Sequence, residues 1–159
     1  QTTHEVYDPA TDTWTLAAPI PEARDHTGVT VMDGKIHVFG GRAGATSNRL
    51  GTHYVYDPET DRWSEAAALP TPRSAGVSFA LDGRIVYAGG ECKDPGTGTT
   101  FDEVEAYDPE TDTWVALPNL PTGLHAGAAV VLDDAAYVIG GNHGCGGGRP
   151  SDEIMTLSF

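Results

Sequence analysis

Few side chains in this sequence are of the types that perform chemistry, and those few lie far apart. Glu91, His125 and Arg73 could supply an acid, a base and an anion ligand, but long stretches of chain separate them. The run from His143 to Cys145 lacks the second pair of closely spaced ligands that a zinc site needs. The sequence also has no serine nucleophile elbow and no cluster of paired carboxylates outside its acidic turns. Spacing alone therefore predicts no catalytic residue, no metal site and no cofactor.

Arginine is the residue type that most suggests ligand binding, because the chain is strongly acidic. It carries 9 basic and 23 acidic residues, for a formal net charge of −14, which makes nucleic acid an unfavourable partner. Guanidinium groups pair with carboxylates, so Arg24, Arg42 and Arg73 suggest an acidic peptide or an acidic sugar as the ligand. The alternative, which we favour for Arg24 and Arg73, is that they hold loop carbonyls or pair with a neighbouring acid such as Asp25.

Three tandem copies of one segment determine where these residues can lie. The copies run from Tyr7 to Trp14, from Tyr56 to Trp63 and from Tyr107 to Trp114, so their tryptophans are 49 and 51 positions apart. Glycine pairs keep the same spacing, and they are Gly40-Gly41, Gly89-Gly90 and Gly140-Gly141. A period near fifty residues is typical of propeller-type β architectures rather than of helical solenoids.

Short apolar runs between these markers predict four antiparallel strands per repeat, which we call inner, second, third and outer. An Asp-Gly turn joins the inner strand to the second, and an Asp-Pro-x-Thr-Asp turn joins the third to the outer. In the last copy Asp134 replaces the turn glycine and is expected to adopt a positive φ. With each four-stranded sheet called a blade, the predicted units are a partial blade at 1–20, blades at 24–67 and 73–118, and a partial blade at 124–159. The predicted strands are 4–7, 13–17, 26–32, 35–39, 52–56, 62–66, 74–81, 84–88, 101–107, 113–117, 128–132, 136–139 and 153–159.

The aromatic markers are interpreted as structural. We expect Trp14, Trp63 and Trp114 to pack between neighbouring blades rather than to stack on a ligand. The glycine pairs would let the backbone pass close to a bulky neighbour, and the spaced tyrosines and tryptophans are expected to fill that space.

The two cysteines, Cys92 and Cys145, each follow a glycine pair by a few residues. Two cysteines cannot form the disulfide framework of a small secreted domain. They lie in comparable loops of neighbouring repeats, so a disulfide between those loops is one alternative. Two free thiols are the outcome that we favour.

The glycine pair, the spaced tyrosine and the tryptophan after six intervening residues resemble the Kelch repeat family in every copy. The resemblance covers nearly the whole chain. It implies an all-β Kelch-type propeller with about three four-stranded antiparallel blades per chain, half of a six-bladed ring. Function follows less directly, because this architecture hosts many activities. We expect a non-catalytic module that binds a protein, a peptide or a carbohydrate; the alternative is an epimerase-like or oxidase-like enzyme acting on an acidic sugar through Glu91, His125 and Arg73.

The resemblance also implies where a ligand would bind. In Kelch propellers the recognition face is usually built by the loops from second to third strands and from each outer strand to the next inner strand. The first class of loop spans 42–51, 91–100 and 142–151 here, and all three are poor in apolar residues. Their glycine content is interpreted as mobility and not as a nucleotide-binding loop. The ligand-binding candidates are Arg24, Arg42, Arg73, Glu91, His125, Asn142 and His143.

The predicted strands leave the ring open. Thirteen strands make about three blades, whereas a propeller typically needs at least four. Open edges and bare apolar faces invite association. A homodimer that completes a six-bladed ring head to tail is expected slightly ahead of its alternative, in which the missing blades belong to a longer parent chain. In the dimer the strand at 4–7 would give way to the strand at 153–159.

The sequence says little about location. No run approaches the roughly 18 apolar residues of a membrane span, so no membrane partner is expected. The first residue is Gln1, and either a leader has been removed or the chain is a piece of a longer protein. Arginine outnumbers lysine by 7 to 2, which suggests a bacterial or archaeal source of a soluble protein, either secreted or cytoplasmic.

Overall fold

A computed structural model describes residues 1–94 and 96–158 and confirms the all-β fold. The strands of this stretch of the chain pair antiparallel throughout. It contains no helix that is long and apolar enough to cross a membrane. In chain order the strands are β1 His4–Asp8, β2 Thr13–Ala17, β3 Gly28–Met32, β4 Lys35–Phe39, β5 His53–Asp57, β6 Arg62–Ala66, β7 Val77–Leu81, β8 Arg84–Asp94, β9 Thr99–Asp108, β10 Thr113–Leu117, β11 Ala128–Leu132, β12 Ala135–Ile139 and β13 Ile154–Leu157.

The strands form four sheets, each a meander in which neighbours in sequence are neighbours in space. The first sheet is the hairpin β1-β2, and the fourth has the order β11-β12-β13. The second and third sheets are complete, with the orders β3-β4-β5-β6 and β7-β8-β9-β10. The final strand lies within the predicted 153–159, of which Phe159 lies outside the described residues.

The third sheet differs from the sequence prediction at one end. The segment 91–100 is a loop in the prediction, but β8 continues to Asp94 and β9 begins at Thr99. The register shifts beside the glycine pair, so that Gly90 pairs with Phe101 and Asp94 pairs with Thr99. A bulge at the glycines lets the hairpin continue where the other sheets end. The loop expected here is therefore a projecting β-hairpin.

Turns between strands are encoded locally. Asp57 accepts a hydrogen bond from the backbone N–H of Glu59 at 2.9 Å, and the same contact recurs in the other two copies. Asp33 and Gly34 both have positive φ, at 50° and 73°. In the last copy Asp133 takes the positive φ, at 53°, and Asp134 does not. The expectation for Asp134 is wrong, because here only the first turn residue is left-handed, whereas in the first copy both turn residues are.

Neighbouring blades are joined by a repeated polar contact. Asp61 accepts hydrogen bonds from the Tyr56 hydroxyl of its own blade, at 2.8 Å, and from the backbone N–H of Ala18 in the preceding blade, at 2.7 Å. Trp63 Nε1 donates to the carbonyl of the same Ala18 at 2.8 Å. We call this pair of hydrogen bonds to one main-chain residue the interblade clamp. It recurs one blade later with Tyr107, Asp112, Ala67 and Trp114.

The first copy of the clamp is unused. Asp12 accepts a hydrogen bond from the Tyr7 hydroxyl at 2.8 Å, as its equivalents do. Trp14, however, is 66% exposed, and its indole donates no hydrogen bond to any of the described residues. Trp63 and Trp114 thus lie between blades, and the expectation that Trp14 does so stays a prediction.

The closest atoms to the first glycine of two of the pairs belong to main chain, although aromatic rings also lie near. The Tyr87 ring would be 3.4 Å from a Cβ atom on Gly40, and the Phe101 ring would be 3.2 Å from one on Gly90. A Cβ atom on Gly40, at φ +61°, would lie 2.7 Å from the carbonyl oxygen of Arg73 in the next blade. The same overlap would occur between Gly89 and the carbonyl of Leu124. Gly140, at φ +62°, has no such neighbour, and its nearest atom would be 3.7 Å away.

The core lies between the sheets. One apolar cluster joins the third and fourth sheets through residues such as Val86 and Val138, and another joins the second and third through Phe39 and Tyr87. The first and fourth sheets each have one uncovered side, where Leu16 and others are exposed. The large apolar residues exposed on those two sheets are Val6, Tyr7, Trp14, Leu16, Val130, Val131, Leu132, Ile139 and Ile154.

Candidate binding face

Both classes of loop lie at the same end of the strands, and we call this end of the blades the loop face. On it each outer-to-inner connection pairs with the second-to-third loop of its own sheet. The backbone bridges are Asp25 with Arg42, Ser74 with Glu91, and His125 with Asn142. These three pairs are equivalent positions in successive blades, and the residue types differ at every one.

A chain of main-chain hydrogen bonds holds the three connections together. Ala75 N–H donates to the carbonyl of His26, and Ala126 N–H donates to the carbonyl of Ala75, both at 2.8 Å. All three residues have positive φ, between 53° and 57°, although none is glycine. A non-glycine residue in this region is strained by roughly 1–2 kcal/mol, so the surrounding contacts must impose it. The loop face therefore has a rigid inner rim.

Arg42 lies at the centre of a charged network that spans two blades. Its guanidinium donates to Asp25 Oδ1 at 2.6 Å and forms an ion pair with Glu91. The hydroxyl of Ser74 donates to the same Glu91 oxygen at 3.1 Å, and His26 lies 2.7 Å from Asp25. The hydrogen bond from Arg42 lowers the pKa of Asp25. The ligand-binding roles of Arg42 and Glu91 stay predictions. In this structure the two side chains form an ion pair with each other.

Arg73 is structural in this conformation. Its side chain is 0% exposed and pairs with Glu105. It also donates to the carbonyls of Gly89 at 2.8 Å and Tyr87 at 2.7 Å. The expectation that this guanidinium lies open at a binding mouth is wrong, because the second strand and the glycine pair of its own blade enclose it.

Arg24 has the equivalent role in the preceding blade. It donates to the carbonyls of Gly40 and Thr52, both at 3.0 Å, and pairs with Glu22 at 2.6 Å. Its side chain is 2% exposed. The geometry agrees with the interpretation that Arg24 and Arg73 hold loop carbonyls.

The three predicted residues of the fourth sheet hold its long loop. His125 is buried and its Nε2 donates to the carbonyl of Gly144 at 2.9 Å. His143 Nδ1 donates to the carbonyl of Gly123 at 2.8 Å. Asn142 Oδ1 accepts from the backbone N–H groups of Gly144 and Arg149. These contacts give the glycine-rich loop a defined conformation.

Cys92 and Cys145 form a disulfide, so the expectation of two free thiols is wrong. The bond joins the projecting hairpin of the third sheet to the long loop of the fourth, with the two Cα atoms 4.5 Å apart. The backbone N–H of Cys145 also donates to the carbonyl of Gly98 at the hairpin tip, at 3.0 Å. The pairing was hard to foresee because it depends on the hairpin reaching across to the next blade.

A groove lies beside the disulfide on the loop face. Its volume is about 430 Å³, and it runs between the projecting hairpin, the connection from third to fourth sheet, and the long loop of the fourth sheet. The lining residues are Lys93, Thr99, Thr100, Asp102, Thr122, Gly123, His143 and Arg149. Only His143 among them is a candidate from the sequence.

Two basic side chains of the groove differ in their surroundings. Lys93 lies 2.8 Å from Asp102 and 2.6 Å from Glu103, and these contacts raise its pKa. Arg149 is exposed and makes no ion pair with any carboxylate of the described residues. Arg149 thus offers an uncommitted guanidinium in an acidic protein. Sequence reasoning missed both, although a basic residue inside a polar loop of such a chain was an available signal.

The three residues proposed for the enzyme alternative each bond to a different group. Arg73 pairs with Glu105, Glu91 pairs with Arg42, and His125 bonds to a main-chain carbonyl. Residues 1–94 and 96–158 contain no group of three or more side chains that could hold a metal ion.

Four-stranded meanders that pack side by side through a tryptophan, with their long loops collected on one face, define the chain as a segment of a β-propeller. Residues 3–141 match the family described as the KLHDC2/KLHL20/DRC7 Kelch-repeats domain. The chain belongs to the Kelch-repeat family.

Relatives from fungi and animals agree with this assignment. The chain is 35% identical over 137 residues to the Kelch-like protein terF of Aspergillus terreus, covering 85% of this chain and 19% of that protein. It is 32% identical over 154 residues to human Kelch-like protein 23, covering 96% of this chain and 27% of that protein. It superimposes on the solved structure of YjhT with a TM-score of 0.83 at 16% identity, covering 100% of this chain and 50% of that one. The chain therefore spans about a fifth to a quarter of the first two relatives.

Proposed function

We propose that this chain is a non-catalytic binding module that recognises a protein or peptide ligand through its loop face. Membership of the Kelch family and similarity to Kelch-like proteins support a binding role. The observation that carries the proposal is the groove between the third and fourth sheets, where Arg149 has no carboxylate partner among the described residues. A rigid rim and a disulfide hold the loops around it.

The chemistry of the groove favours an acidic side chain on the ligand. A free guanidinium binds a carboxylate through two parallel hydrogen bonds. The hydroxyls of Thr99, Thr100 and Thr122 can add hydrogen bonds to a peptide backbone. A volume of about 430 Å³ suits one or two side chains rather than a folded domain.

A carbohydrate is the second class of ligand that the hydroxyl-rich lining could accept, and an acidic sugar would use the same guanidinium. The enzyme alternative has less support, because Arg73 is enclosed and Glu91 is paired with Arg42. We therefore favour binding without catalysis.

Selection of binders from a displayed peptide library, alongside a glycan array, tests this function. We expect acidic peptides to be selected, and the Arg149→Ala variant to bind them about ten-fold more weakly, the effect of about 1.4 kcal/mol. Arg62→Ala is the matched control, since Arg62 lies at the opposite end of its blade, beside the Asp57 turn, and should leave affinity unchanged. Equal binding by the Arg149 variant, or binding of neutral glycans alone, would contradict the proposal.

A further inference from the structure

The two walls of the groove beside Arg149 belong to different blades, and few bonds join them. One wall is the projecting hairpin and the other is the long loop of the fourth sheet. Within the described chain, the disulfide and two hydrogen bonds connect hairpin and loop directly. Cys145 N–H donates to the carbonyl of Gly98 at 3.0 Å. The Thr100 hydroxyl donates to the carbonyl of His143 at 3.4 Å. The disulfide is therefore the main constraint on the width of the groove.

The tip of the long loop has little conformational preference of its own. Gly146, Gly147 and Gly148 follow Cys145 directly, and all three have positive φ, between 71° and 107°. Three glycines in succession leave the backbone many alternative conformations. The hydrogen bonds that Asn142 accepts fix the base of the loop, and not its tip. The bond at Cys145 is thus what holds the tip against the hairpin.

Arg149 lies in the same loop and must move with it. Its carbonyl accepts from the backbone N–H of His143 at 2.9 Å. Its Cδ atom would lie 3.3 Å from a Cβ atom on Gly144, so the side chain folds back over its own loop. A movement of this loop away from the hairpin would separate the guanidinium of Arg149 from Lys93 and Thr99 on the opposite wall.

Other contacts join the third and fourth sheets independently of the disulfide. The two sheets share an apolar cluster that includes Val86 and Val138. At the rim, Ala126 N–H donates to the carbonyl of Ala75 at 2.8 Å. Loss of the disulfide is therefore expected to loosen the groove and to leave the blades folded.

We propose that the disulfide between Cys92 and Cys145 is a redox switch for the groove: a dithiol reductant frees the long loop and lowers the affinity for an acidic peptide. This inference rests on the proposed function of the groove. A ligand that binds the reduced form must order the loop again, and that ordering costs free energy that the oxidised form does not lose on binding.

Reduction is a two-electron thiol–disulfide exchange. Cys92 is 1% exposed and Cys145 is only half-buried, so an attacking thiolate reaches the Cys145 sulfur first. The attack forms a mixed disulfide at Cys145 and breaks the bond to Cys92, which leaves as a thiolate and takes a proton from water. The second thiolate of the reductant then attacks the reductant's own sulfur in the mixed disulfide. Cys145 leaves as a thiolate and is protonated in turn, and the reductant becomes a cyclic disulfide.

Backbone order parameters from nitrogen-15 relaxation test the switch without a ligand. On reduction of the wild type, the order parameters of Gly146, Gly147 and Gly148 should fall below about 0.6, while those of Ala75 and Ala126 on the rim should stay near about 0.85. Unchanged order in the three glycines would overturn the proposal. Loss of order on the rim as well would also overturn it, because the disulfide would then hold the whole fold rather than the groove.

The affinity for an acidic peptide selected from the displayed library is the second test. Reduction of the wild type should weaken binding about ten-fold. Oxidised Trp63→Ala is the matched control, since Trp63 bonds to Ala18 between the first and second sheets and its loss should lower stability without touching the groove. This variant should bind as the oxidised wild type does.

Equal affinity of the oxidised and reduced wild type would overturn the switch. An equal loss of affinity in Trp63→Ala would do so too, because general destabilisation would then explain the effect. If no acidic peptide binds either form, the proposed function fails, and the order parameters still decide whether the disulfide controls the groove.

Discussion

Trp63 and Trp14 occupy equivalent positions and face different surroundings. Trp63 is half-buried and bonded to Ala18, while Trp14 is 66% exposed. We expect Trp63→Ala to lower the free energy of unfolding by about 3 kcal/mol, near the low end for a large aromatic, and Trp14→Ala by less than about 1 kcal/mol. Urea denaturation of the two variants measures the difference. Equal losses would show that the indole of Trp63 gains nothing from the neighbouring blade.

A buried histidine pair should make stability depend on pH. His37 Nδ1 and His53 Nε2 are 3.0 Å apart, and His53 Nδ1 donates to the carbonyl of Ala67 at 3.2 Å. Burial lowers the pKa of His53 to about 4, and it lowers the pKa of His37 as well. Both imidazoles are therefore neutral in the folded protein at neutral pH.

The sign of the effect follows from proton uptake by the unfolded chain. As pH falls below about 6.5, His53 binds a proton in the unfolded chain. In the folded protein it binds that proton only near pH 4. We expect His53 to reduce the free energy of unfolding by about 2 kcal/mol between pH 7 and pH 5. The His53→Val variant, which copies the equivalent Val104, should lose most of this dependence in chemical denaturation. An unchanged pH profile would contradict this assignment.

At the scale of elements, Gly40 and Gly140 separate backbone strain from contact between blades. Both have φ near +61°, but only Gly40 faces a carbonyl of the next blade. Alanine at either position is strained by roughly 1–2 kcal/mol, and alanine at Gly40 must also displace the Arg73 carbonyl, at a further cost of about 1–3 kcal/mol. The midpoint of thermal or chemical unfolding should therefore be well below that of Gly140→Ala in the Gly40→Ala variant. The same midpoint for both would mean that the blades can move apart freely.

Most elements were predictable because their signals are local. Turn acids, glycine pairs and alternating apolar residues lie within a few positions of the strands that they bound, so strands such as Arg62–Ala66 and Thr113–Leu117 match their predictions. The projecting hairpin was missed because Gly89-Gly90 looks like the other glycine pairs, and only its pairing with Phe101 distinguishes it. The candidate site was predicted only partly for the same reason. Loop positions follow from the repeat, but the groove at Arg149 depends on a hairpin from one blade reaching a loop of the next.

At the scale of the whole molecule, the disulfide adds a covalent bond between two blades that otherwise meet through apolar contacts and hydrogen bonds. Cys92 and Cys145 are 53 positions apart, and a crosslink across a loop of that length stabilises by about 4 kcal/mol if it acts by restricting the unfolded chain. Reductant should lower the denaturant midpoint of the wild type accordingly. The double variant Cys92→Ala with Cys145→Ala should unfold at the lower midpoint with or without reductant. If the denaturant midpoint of the wild type were the same with and without reductant, this role would be contradicted.

The same bond has a consequence for chain integrity. Every peptide bond from Cys92 to Cys145 lies inside a covalent loop. A protease that nicks this stretch once leaves both fragments attached, so on a denaturing gel the nicked protein migrates as one species until a thiol is added and then as two. A single cut between these two blades would thus leave the two parts of the chain covalently joined.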